Sequence, residues 1–115
     1  MLQFVVTAQD PLAVTVDAFL DSGARYSLFD GSLLDVIGLA LFDGDRRDYF
    51  PVSGGSIEGR VHRVRLIHER LGTFDLEMGF STGPINRNIL GRDFFDLIQL
   101  GFREHHLAFF IEATP

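Results

Sequence analysis

The sequence predicts one mainly β domain with one or two short helices, and three observations carry that expectation. Thr73 to Phe80 alternates strictly, with Phe74, Leu76, Met78 and Phe80 on one face and Thr73, Asp75, Glu77 and Gly79 on the other. Leu2 to Thr7 and Leu12 to Leu20 are rich in β-branched and aromatic residues and are split by the turn-forming Ala8-Gln9-Asp10-Pro11. The stretch from Tyr49 to Leu66 carries Gly54-Gly55 near its middle, the pattern of a long hairpin with a flexible tip.

The remaining elements follow in order. Tyr26 to Phe29 suits a short strand, and Gly31-Ser32-Leu33-Leu34-Asp35-Val36-Ile37-Gly38 offers a cap, one or two helical turns and a glycine stop. Asp43 to Asp48 reads as a polar connection. Ser81 to Asn88 is a loop, after which Ile89-Leu90 leads into residues 91–98, where Phe94, Phe95, Leu97 and Ile98 suit a short helix packed on a sheet. Gln99 to Phe102 and Leu107 to Ile111 are expected to form a closing hairpin. No repeat or linker divides the chain, so residues 1–115 are read as a single domain.

Composition narrows the function. With 115 residues there is room for one modest core, and a hydrophobic content of 46% is ordinary for a folded domain. The chain has no cysteine, which removes thiol catalysis, disulfides and thiolate metal sites. A formal charge of −6 argues against nucleic acid as a partner. No run approaches the roughly 18 apolar residues of a membrane span, and the N-terminus lacks a secretory pattern, so the expectation is a cytoplasmic protein without a membrane partner. All ten basic residues are Arg, for which coding bias is sufficient reason. His62, His68, His105 and His106 lack a ligand spacing and are expected on the surface or in turns, with no metal site. Arg60, Arg63 and Arg65 read as a solvated basic face.

The chemistry concentrates at Asp21-Ser22-Gly23-Ala24, which directly follows the apolar run from Val14 to Leu20. Taken alone it is also what a tight turn looks like, since Asp, Ser and Gly all favour turns. Two carboxylates held close together share a proton, so that one acts as base and the other as acid. The Asp-Ser-Gly pattern occurs once in this chain, and a second carboxylate would have to come from another copy.

Three features in sequence order resemble the retropepsin-like aspartic proteases, the single-domain relatives of retroviral protease. They are Asp21-Ser22-Gly23-Ala24 with Ser27 beyond it, the Gly54-Gly55 hairpin, and Ile89-Leu90-Gly91-Arg92-Asp93, roughly 70 residues after the first. The resemblance implies a retropepsin-like barrel and a homodimeric aspartic endopeptidase that needs no metal or cofactor and cleaves an extended peptide. It implies Asp21, Ser22 and Gly23 as catalytic, with Ser22 bonding across the dimer axis where the family more often has Thr. Ala24, Arg25, Gly54 and Gly55 would meet substrate, the glycines as a flap. Ile89, Leu90, Gly91 and Arg92 would support the site. Leu2 to Thr7 or Leu107 to Ile111 would join the dimer sheet, and part of the Phe-rich tail, Phe94-Phe95 and Phe109-Phe110, would face the partner. Viral members commonly carry an acid where Arg25 stands; Arg25 either pairs with Asp93 or projects toward the cleft and favours an acidic substrate group. The alternative function is a non-catalytic dimerisation or peptide-binding module on the same fold.

Overall fold

The computed structural model describes residues 1–98. Its strands are β1 (Leu2–Gln9), β2 (Leu12–Leu20), β3 (Leu28–Asp30), β4 (Asp45–Tyr49), β5 (Ile57–His68), β6 (Gly72–Ser81) and β7 (Asn88–Leu90). Helix α1 spans Leu33–Val36, a 3-10 turn spans Leu41–Asp43, and a second helix, α2, covers residues 92–98. The expected closing hairpin and the Phe109-Phe110 pair lie outside the described residues.

The sheet order is β1-β2-β7-β3-β6-β5-β4, and a further β1–β5 pairing closes all but β4 into a barrel. β2 runs parallel to β7 and β3 parallel to β6; the other contacts are antiparallel. β5 serves two structures at once. Its C-terminal half pairs with β1 through Val5↔Ile67 and Thr7↔Arg65, whereas its N-terminal half pairs with β4 to form the arms of the flap hairpin.

Alternation decides what the barrel encloses. Along β1 and β2, Phe4, Val6, Val16 and Ala18 point inward, and Gln3, Thr15 and Asp17 point out. The register aligns these sets, with Phe4 opposite Val16 and Val6 opposite Val14. Phe29 and Phe80 meet edge to face at 6.3 Å in the interior. Phe94 of α2 plugs one side, with its ring 5.4 Å from Phe4 and 5.1 Å from Phe74, both near perpendicular. Such aromatic pairs contribute about 0.5–1.5 kcal/mol each beyond the area they bury. Leu34, within α1, and Ile37, just beyond its end, are fully buried in the same core. Gly38 closes that helical segment at φ +81°, a left-handed conformation natural to glycine.

Three expectations are corrected here. Residues 45–48 are not a connection but most of β4: Arg46 reaches Glu58 across the hairpin at 3.5 Å and Asp48 along its own strand at 3.2 Å, and Arg60 reaches Glu58 along β5 at 3.3 Å. That also separates Arg60 from Arg63 and Arg65, the latter bound to Asp75 at 2.8 Å, so the three do not form one basic face. Gly79 sits on the nominally wet face of β6 yet is buried, because the Tyr49 ring lies over it.

A Cβ at Gly79 would run into the Tyr49 hydroxyl and ring. Gly79→Ala is therefore expected to cost about 1–3 kcal/mol by overpacking, read as a lower denaturant midpoint with an unchanged m-value. A wild-type midpoint would contradict this packing of the flap arm.

Candidate active site

The candidate loop begins where β2 ends. Leu20 is the last residue in register with β7, opposite Leu90, and the Asp21 N–H continues the ladder by donating to the Leu90 carbonyl at 2.9 Å. The chain then turns on itself: Gly23 N–H donates to Asp21 Oδ1 at 2.9 Å and Ala24 N–H to the Asp21 carbonyl at 3.1 Å. A Cβ on Gly23 would already lie 3.2 Å from that Oδ1, so glycine lets the carboxylate fold over the turn. Asp21, Ser22 and Gly23 are all exposed. Among the described residues the second carboxylate oxygen of Asp21 and the Ser22 hydroxyl have no hydrogen-bond partner.

The next residues thread against the start of α2. Arg92 N–H donates to the Ala24 carbonyl at 2.8 Å and Asp93 N–H to the Arg25 carbonyl at 3.3 Å. The fully buried Ser27 fixes the crossing. Its N–H donates to both Asp93 oxygens, at 3.1 and 3.0 Å, and its hydroxyl donates to Oδ1 at 2.6 Å. The same hydroxyl accepts the Gly91 N–H at 3.0 Å. Gly91 must be glycine because a Cβ would stand 2.7 Å from the Ala24 carbonyl oxygen and 2.9 Å from that of Tyr26. Asn88 makes a second stitch, accepting the Asp30 N–H at 2.8 Å and donating to the Asp17 carbonyl at 3.1 Å.

The flap arm reaches this loop at its base. Arg47 lies 4.2 Å over the Tyr26 ring, and Tyr26 meets Tyr49 edge to face at 6.4 Å. Burial raises the Tyr49 pKa above the ordinary phenol value; the Arg47 guanidinium pulls the other way, while Asp93 and Tyr26 reinforce the rise. No aligned hydrogen bond reaches the Tyr49 hydroxyl. At the tip, Gly54 and Gly55 adopt φ +99° and +74° with nothing near them, so the turn is one that L-residues resist. Phe50 and Val52 beside them are exposed.

The structure thus brings Asp21 and Ala24 against Leu90, Gly91 and Arg92, and holds Gly54 and Gly55 apart on the flap. Ile89 pairs with both Phe19 and Leu28, carrying β7 between β2 and β3. Arg92 contributes its backbone N–H, and its side chain is exposed. The proposed Arg25–Asp93 ion pair does not form, because Ser27 occupies the carboxylate and the Arg25 guanidinium lies 5.2 Å over Tyr26 instead. Sequence reasoning missed Asn88 and Tyr49 and gave Ser27 no role; a buried serine four residues past a Gly-Ala turn was the available signal for the last. His62 Nε2 is 2.7 Å from the Leu41 carbonyl, and His68 Nδ1 accepts turn N–H groups from Arg70 and Leu71. Among the described residues no cluster of His, Asp and Glu could hold a metal ion.

Comparison with known proteins identifies the architecture. No protein-family model matches the chain, and no curated protein does. Among solved structures it is similar to the EIAV protease complexed with the inhibitor HBY-793, with a TM-score of 0.61 over 84% of this chain and 85% of that one. The chain has the mainly β, retropepsin-like fold of a retroviral protease. At 17% identity the likeness is one of fold.

Ser27→Ala would leave the Gly91 N–H without its acceptor and remove the shortest bond to Asp93. The expected loss is about 2–3 kcal/mol, measured by denaturant unfolding, together with faster hydrogen exchange at Gly91. Wild-type stability would mean the crossing is held by the backbone bonds alone.

Proposed function

We propose that two copies of this chain form an aspartic endopeptidase, with a peptide bond cleaved between the two Asp21 carboxylates. The observation that supports it most is the state of Asp21: a carboxylate on a loop anchored to β7 and α2, exposed, with one oxygen held by Gly23 and the other free. Phe19 and Leu20, immediately before it, are 37% and 43% exposed, apolar surface of the sort a subunit contact covers. Retroviral proteases, whose fold this chain shares, are homodimers.

In such a dyad the charged carboxylate takes a proton from water, which attacks the peptide carbonyl carbon, and the neutral carboxyl gives its proton to the carbonyl oxygen. The tetrahedral diol then collapses, breaking the C–N bond as a proton passes to the departing amine. The flap would close over the extended peptide and exclude bulk water. Ser22, with its free hydroxyl beside Asp21, is suited to bond across the dimer axis. No metal or cofactor is required.

Asp21→Asn should lower kcat/KM on a peptide library at least about 10³-fold while leaving the circular dichroism spectrum and the solution mass unchanged. Retained cleavage by pure Asp21→Asn protein would contradict the mechanism, and binding without turnover by the wild type would favour a peptide-binding module.

A further inference from the structure

We propose that Arg25 and Arg47 form a subsite that reads an acidic side chain of the bound peptide, a specificity that rests on the peptidase reading above. Alternation along β4 divides its charges. Arg46 and Asp48 face one way and are satisfied by each other and by Glu58 across the hairpin. Arg47 faces the other way with Tyr49, is half-buried, and makes no ion pair among the described residues.

The guanidiniums of Arg47 and Arg25 both rest on the Tyr26 ring, at 4.2 and 5.2 Å from its centre. One is carried by the flap arm and the other by the loop that bears Asp21. A guanidinium resting on an aromatic ring still has N–H groups with which to take a carboxylate. Arg25 has no ion pair among the described residues either, although the whole chain carries 16 acidic residues against ten basic ones. Beside Tyr26 a cleft of about 540 Å³ opens, lined by Arg25, Arg92, Asp93 and Asp96.

No acid forms an ion pair with either cation among the described residues: Asp93 is taken by Ser27, and Asp96, which lines the same cleft, is exposed to water. A carboxylate bound by both guanidiniums would join the flap arm to the loop, so that an acidic substrate helps close the site over itself.

The test uses C-terminally amidated extended peptides in which each position in turn carries Glu or its isostere Gln. Binding is measured on Asp21→Asn protein and cleavage on the wild type. At one position Glu should bind about tenfold more tightly than Gln. Arg47→Gln and Arg25→Gln should each bring that ratio toward one, and Arg47→Glu should make a third peptide with Lys at the same position bind more tightly than the Glu peptide, which a merely misfolded variant would not do. Equal binding of Glu and Gln at every position, a preference that survives both substitutions, or no peptide binding would each overturn the subsite. The two readings fail separately: cleavage without a Glu preference sinks the subsite alone, and preferential binding without cleavage by the wild type sinks the peptidase alone.

Discussion

The hydrogen bonds between Ser27 and Asp93 hold together two parts of the chain that lie 66 residues apart in sequence. Asp21 has no rigid element of its own; it sits on a turn, and a turn is placed only by what it leans on. Here the turn leans on residues 90–93. The Asp93 carboxylate collects the Ser27 N–H and hydroxyl, the hydroxyl collects the Gly91 N–H, and three backbone bonds run alongside. All of it occurs at a crossing too close for any side chain at Gly91. Charge-assisted, fully engaged bonds of this kind are expected to fix geometry more firmly than apolar packing of the same size.

That constraint also assigns the basic residues. Once Asp93 is committed to Ser27, Arg25 has no acid of its own and turns onto Tyr26, where Arg47 meets it from the flap arm. The flap arm is held in turn by Tyr49, which fits only because Gly59 and Gly79 leave room for its ring. Loop, flap base and α2 therefore behave as one packed unit. The flap tip, with its positive-φ glycines in open space, is the part left free to move.

Much of this was legible in the sequence. Strands whose side chains alternate between core and solvent, β1, β2 and β6, were found nearly to the residue, and the Asp21 and Gly91 segments were paired correctly by their order and spacing. What was not legible depends on neighbours distant in the chain. β4 looked like a polar connection because both its faces carry charge, and it is the ladder to β5, with Glu58 meeting Arg46 across the hairpin, that makes it a strand. Gly79 looked exposed by alternation because the Tyr49 ring that covers it comes from 30 positions earlier. Arg25 looked like a partner for Asp93 because opposite charges near a motif invite pairing; a neutral serine won, being buried and already in place.

The account rests on two Asp21 loops meeting, since one carboxylate exposed to water is not an acid–base pair. The most direct measurement is native mass spectrometry of the purified chain with a transition-state-mimicking aspartic protease inhibitor. The proposed dyad predicts a complex of two chains and one inhibitor, in which Asp21→Asn substitution weakens the hold on the inhibitor but not the pairing of the chains. A strictly monomeric chain at high concentration, with or without the inhibitor, would contradict it.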